Sequence, residues 1–168
     1  MRTIYEVERR FLVVEREVIQ GHTGNIIVQA YLFIANGYVV RVRRTHWPTR
    51  ETGIFDEGPA IVTVKGPRDG PMREEYELEV PANFATELVR RAQWKISKMR
   101  FQIIDNERLW DVDLFHGANE GLIIAECEGQ STLDLIVPKW CGIEITDDRR
   151  YDNERLAQVP YSTWPSGP

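Results

Sequence analysis

Charged residues recur two apart along much of this chain, mostly in like-signed sets. Glu6 and Glu8 precede Arg10. Arg41 is followed by Arg43, and Lys65 closes a valine-rich run. Arg73 leads Glu75, Glu77 and Glu79. Then come Lys98 with Arg100, Asp111 with Asp113, and Glu126 with Glu128. Side chains two apart on a strand share a face, so each set would crowd one side of its strand. Like charges side by side repel unless a group of opposite sign lies between them. Arginine offers a rigid fork to phosphate and lysine a compact charge. Arg10, Arg41, Arg43, Lys65, Arg73, Lys98 and Arg100 could therefore surround three phosphoryl groups. The carboxylates would repel phosphate directly. They make sense holding Mg²⁺ or Mn²⁺, hard ions that take oxygen ligands and offset charge at a transferring phosphorus.

Other chemistries find little support. His22, His46 and His116 show no ligand spacing, which argues against zinc. There is no GxxxxGK[ST] loop, and no Ser, His and Asp constellation is legible. Cys127 and Cys141 form no CxxC pair, so neither a disulfide framework nor a zinc knuckle is expected. Cys127 alternates with Glu126 and Glu128 and is expected in the apolar core. With 26 acidic against 21 basic residues and a net charge of −5, the chain lacks the cationic excess of a nucleic-acid surface. No stretch approaches the roughly 20 apolar residues of a membrane span, and the first residues lack a signal-peptide run. A cytoplasmic protein is expected.

The elements that must position these charges are strands, because the dominant period is two. Strands are expected over residues 5–14, 26–35, 37–44, 60–65, 72–80, 95–105, 108–115 and 122–128. Asn36-Gly37 signals a tight hairpin, and Asn106-Glu107 a second turn. Residues 46–59, with two prolines and two glycines, read as a mobile loop. Trp47 and Phe55 in that loop could stack on a base, although local packing is the commoner fate of such residues. Residues 81–93 suit a helix, with Phe84, Leu88 and Ala92 on one face and Ala85 and Val89 beside them. Shorter helices are expected from Ser131 and over residues 151–158.

These elements predict a single all-β domain over residues 1–158, with a few peripheral helices and a tail, 159–168, without secondary structure. The sheet is expected to close into an eight-stranded antiparallel β-barrel, because closure removes edges. Its bore would hold the charges, each satisfied by pairing, metal or ligand. Its outer face would be apolar and covered by helices.

Several segments together resemble the CYTH superfamily, the triphosphate tunnel metalloenzymes, and most of all its short bacterial members. The run Glu6-Val7-Glu8-Arg9-Arg10-Phe11-Leu12-Val13 is similar to the family's ExExK signature. The likeness continues through Arg41-Val42-Arg43, Thr63-Val64-Lys65-Gly66, Glu75-Tyr76-Glu77 and Lys98-Met99-Arg100. It runs on through residues 110–117, 121–128 and 144–151. The resemblance implies an eight-stranded tunnel using Mg²⁺ or Mn²⁺. Glu6, Glu8, Glu126 and Glu128 would stand on the metal side, with Glu75, Glu77 and Asp113 as further acidic candidates. Arg41, Arg43, Lys65, Lys98 and Arg100 would bind phosphate, and Asp148 and Arg149 would close one mouth. One position departs from the signature: its lysine is Arg10 here, and arginine cannot act as a base.

Metal-dependent hydrolysis of tripolyphosphate or a nucleoside triphosphate is the leading expectation, with Arg10, Glu6 and Glu8 at the reacting centre. A class IV-type adenylate cyclase and a non-catalytic polyphosphate or nucleotide sensor are the alternatives. The expected partner is a small-molecule triphosphate, not a nucleic acid duplex or a membrane. Outward apolar surface would allow a homodimer.

Overall fold

Residues 7–48, 55–69, 72–129 and 134–165 are described by a computed structural model of the chain. The strands are β1 (Val7–Val13), β2 (Gly24–Ala35), β3 (Tyr38–Pro48), β4 (Phe55–Asp69), β5 (Met72–Val80), β6 (Trp94–Asp105), β7 (Arg108–Phe115), β8 (Ile123–Gly129) and β9 (Cys141–Glu144). Two α-helices join them, α1 (Ala82–Arg91) and α2 (Asn153–Gln158). Short 3-10 turns lie at Arg16–Ile19, Gly117–Asn119, Arg149–Tyr151 and Tyr161–Thr163. The last of these gives the expected tail a turn of its own. No described helix is long and apolar enough to cross a membrane.

One antiparallel sheet takes all nine strands, in the order β5-β4-β3-β2-β6-β7-β8-β1-β9. Two meanders build it, β2 to β5 and β6 to β8, and α1 carries the chain from the end of β5 back to β6 beside β2. The expected eight-stranded closure is not what forms. Among the described residues no ladder joins the edge strands β5 and β9, so the sheet is open. The reason lies in β9, a four-residue strand absent from the expected set, which pairs β1 across an irregular register. After it the chain turns away into Arg149–Tyr151 and α2. That segment meets β5 through side chains: Arg73 Nη1 stands 3.6 Å from Glu154 Oε1.

The expected loop over residues 46–59 is also corrected. Strand β3 continues to Pro48, β4 begins at Phe55, and Trp47 pairs with Asp56. A register shift between Arg44 and His46 absorbs Gly58 and Pro59, the kind of bulge where a strand tolerates proline. Residues 49–54, the side chain of Phe55 and the start of the helix expected from Ser131 lie outside the described residues.

Both faces of the sheet carry core. On the outer face Phe11, Phe101, Trp110, Val112, Ala125 and Cys127 pack with Leu135 and Trp140. A second outer cluster sets Ala30, Val42 and Ala60 under Ala85 of α1. The buried side of α1 is Ala85, Leu88, Val89 and Ala92, whereas Phe84 is 52% exposed. The inner face is charged only along part of its length. At one end Tyr31, Val39, Ile96, Phe115 and Ile124 gather round Leu156 of α2. That apolar cluster fills part of the concave face, and Arg41 and Lys65 stand opposite its Tyr31 and Val39.

Candidate active site

Alternation along the strands delivers the charges to one cavity of about 510 Å³. Strand β1 contributes Glu8 and Arg10, β3 Arg41 and Arg43, and β4 Lys65. Strand β5 contributes Arg73, Glu75 and Glu77, β6 Lys98 and Arg100, and β8 Glu126 and Glu128. Glu6 lies outside the described residues.

The wall divides by sign. On β1 and β8 the ladder sets Glu8 opposite Glu128 and Arg10 opposite Glu126. Two carboxylates facing each other across a ladder repel unless a cation lies near. On β3 and β4 the wall is basic, and β5 sets Glu75 and Glu77 beside Arg73 against it. Arg41 Nη2 is 4.0 Å from Glu77 Oε1, and Thr63 donates to the same oxygen at 3.1 Å. Lys65 bonds Glu75. Burial pushes the Lys65 ammonium below its ordinary pKa, and the charge of Arg41 adds to this. Arg43 is pushed down to about 10 by burial and by Arg41 and Arg100. Its Nε is buried without a hydrogen-bond partner among the described residues, as is that of Arg41.

The remaining cations are more fully engaged, although Arg10 Nε is also buried without a hydrogen-bond partner among the described residues. Arg100 donates to Asp113 through Nε and Nη2, both at 2.7 Å, to Asp111 at 2.6 Å and to Glu126 at 3.1 Å. Asp113 is buried beneath the cavity floor between Arg100 and Lys98 and does not line the cavity. Burial raises its pKa, but Arg100 and Lys98 outweigh that and hold it well below the carboxylate range. Arg73 donates to the Gly66 carbonyl at 2.8 Å. Arg10 is 3% exposed, and its Nη2 reaches Asp152 Oδ1 at 2.8 Å and the Thr146 carbonyl at 3.1 Å.

Asp152, Asn153 and Glu154 also line the cavity, as do Gln29 and Tyr31. Sequence reasoning missed them, because Asp152 to Glu154 enter from the start of α2, far from any charged strand. Gln29 carried a weak signal, a lone amide on an apolar strand. Arg149 does not join the cavity. Its side chain is 54% exposed, with Nη1 3.7 Å from Asp152 Oδ2, and Asp148 pairs outward with Arg150.

The wall thus offers hard oxygen donors beside cations short of anions. No protein-family model matches the chain. A protein of Acetivibrio thermocellus named inorganic triphosphatase is 34% identical over 162 residues, covering 95% of this chain and 97% of its own. The chain belongs to the inorganic triphosphatase family. A second protein of that name, from Nitrosomonas europaea, is 26% identical and covers 90% of this chain and 96% of its own. The crystal structure of an inorganic triphosphatase superposes with a TM-score of 0.65 at 25% identity, over 92% of this chain and 95% of that one. Family membership thus rests on nearly the whole length, including the strands that carry both halves of the wall.

Proposed function

We propose that this protein hydrolyses inorganic tripolyphosphate as a triphosphate tunnel metalloenzyme of the short bacterial type. The observation that carries the reading is the division of one cavity wall into an acidic side, Glu8, Glu126 and Glu128, and a basic side, Arg41, Arg43 and Lys65. A site for a simple anion would not need the acids. The donor set fits Mg²⁺ or Mn²⁺, which take carboxylate oxygens. Among the described residues no three acidic, histidine or cysteine side chains form a metal-sized group. Mg²⁺ itself uses one or two carboxylates and completes its shell with water and substrate phosphate. Glu8 and Glu128, facing each other across the β1–β8 ladder, would supply those carboxylates, with Glu126 and, from the sequence pattern, Glu6 beside them. Bound there, the metal would neutralise charge on the phosphoryl oxygens.

The chain's own residues account for the rest. Arg41 and Arg43 lie on one strand with their Nε atoms unsatisfied, so they gain most from a polyphosphate. Lys65 adds a third charge. Water attacks the terminal phosphorus, the bond to the bridging oxygen breaks, and pyrophosphate and orthophosphate leave. Arg10 cannot take the water's proton. Its part is a fixed positive charge at the cavity floor, held by Asp152. Incubating the protein with tripolyphosphate, with and without Mg²⁺ or Mn²⁺, tests this by released orthophosphate. Metal-dependent release is expected, and none with either metal would sink the reading.

A further inference from the structure

Helix α2 is six residues long, yet the residues at its start hold cavity cations on three different strands. Asp152 Oδ1 stands 2.8 Å from Arg10 Nη2 of β1. Asn153 Oδ1 accepts from Lys98 Nζ of β6 at 3.4 Å. Glu154 Oε1 lies 3.6 Å from Arg73 Nη1 of β5. A helix this short does not hold itself, since isolated helices below about 12–15 residues are marginal in water. Its last carbonyls also need donors from outside the helix. The Leu156 carbonyl has a particular need. Its helical donor would come from residue 160, and Pro160 has no N–H.

Asn119 supplies that donor. It lies in the Gly117–Asn119 turn between β7 and β8, buried and outside the cavity lining. Its Nδ2 donates to the Leu156 carbonyl at 3.3 Å, and its Oδ1 accepts from the Tyr161 N–H at 2.7 Å. One buried amide thus ties down both the end of α2 and the turn after it. Asn119 is itself anchored to the sheet. Its N–H donates to the His116 carbonyl at 3.3 Å, and the His116 N–H donates to the Ser97 carbonyl of β6 at 2.9 Å. We propose that Asn119 is a positioning residue for triphosphate hydrolysis, pinning α2 so that Asp152, Asn153 and Glu154 meet Arg10, Lys98 and Arg73. This rests on the triphosphatase reading and adds to it a residue that touches no substrate. Arg41, Arg43 and Lys65 stand on β3 and β4, which are held by their own ladders. Loosening α2 should therefore spare substrate binding and slow turnover.

The test compares wild type, Asn119→Ala and Asn119→Asp with tripolyphosphate and Mg²⁺ or Mn²⁺, at a temperature where thermal unfolding shows each fully folded. Asn119→Asp keeps the acceptor for Tyr161 and loses only the donor to Leu156. Both variants should lose about tenfold to a hundredfold in kcat, the scale of a misplacement of about 1 Å, with KM little changed. Asp152→Asn should also slow turnover. Because both substitutions act on one set of contacts, the double variant of Asn119→Ala and Asp152→Asn should fall by less than the product of the single losses. Amide exchange reads the pin without catalysis: α2 should lose protection in both Asn119 variants while β6 and β7 keep theirs. A wild-type kcat in the folded variants, a rise in KM alone, losses that multiply, or unchanged protection of α2 overturns the assignment. Absence of turnover in wild type would count against the triphosphatase reading instead, and amide exchange then decides alone whether Asn119 pins α2.

Discussion

Asp113 is a buried carboxylate shared between two cations. It is 1% exposed and bridges Lys98 and Arg100 beneath the cavity. Its folded pKa lies below the unfolded value of about 3.9. The carboxylate therefore contributes its full stability above that pH, and the contribution is lost as acidification carries the solution down toward the folded value. Asp113→Asn should lower the urea-unfolding free energy at pH 7 by about 3–5 kcal/mol, the cost of breaking a buried pair. The gap should narrow between about pH 4 and pH 2. A gap that stays constant across that range would refute the assignment. This pairing was legible in principle: a two-residue turn at Asn106-Glu107 sets Asp105 opposite Arg108 and hence Arg100 opposite Asp113. Alternation alone could show which face Asp113 takes, but not that two cations already hold it. Arg10 shows the same limit, since its partner Asp152 arrives from 142 residues away.

Turns and strand ends decide how far the elements could be read. Asn36-Gly37, with φ of 52° and 81°, is the hairpin the sequence advertises. The 106–107 turn has the same backbone, φ 48° and 61°, but places Glu107 where glycine belongs. A side chain in the left-handed region costs about 1–2 kcal/mol, part of which glycine returns as unfolded-chain entropy. Glu107→Gly is therefore expected to stabilise by about 0.5–1 kcal/mol, a rise in Tm of about 1–4 °C for a chain of this size. A fall in Tm by calorimetry would show that Glu107 makes a contact worth more than its strain. Elements whose signal is non-local were harder to read. Strand β9 spans four residues, Cys141–Glu144, too few for a period to declare itself. The ends of β3 and β4 hide behind Pro48, the last residue of β3, and Pro59, which a bulge absorbs.

At the scale of the molecule, the sheet holds cations together that its own bonds do not satisfy. It stays curved without closing: among the described residues β5 and β9 are not paired, and α2 packs on β6 and β2 with Leu156 in the inner apolar cluster and Glu154 toward Arg73. Two-residue alternation revealed the charged face, but not that α2 would pack against it. The unsatisfied charge concentrates at Arg43, whose Nε has no hydrogen-bond partner among the described residues and whose charge meets Arg41 and Arg100 more strongly than Glu77. Such a site stores instability that an anion relieves. The consequence is measurable without catalysis. In metal-free buffer, tripolyphosphate at about 100 times its Kd should stabilise the fold by about 2.7 kcal/mol, raising Tm by about 5–10 °C. Arg43→Met keeps an unbranched chain of similar length and removes the charge. Without ligand its Tm should exceed that of wild type, because repulsion with Arg41 and Arg100 is gone, and tripolyphosphate should then raise it far less. If the variant melts below wild type, or keeps the full ligand-induced shift, Arg43 is neither the strained cation nor the phosphate anchor. Both outcomes appear in one thermal scan, which sets function against stability at a single residue.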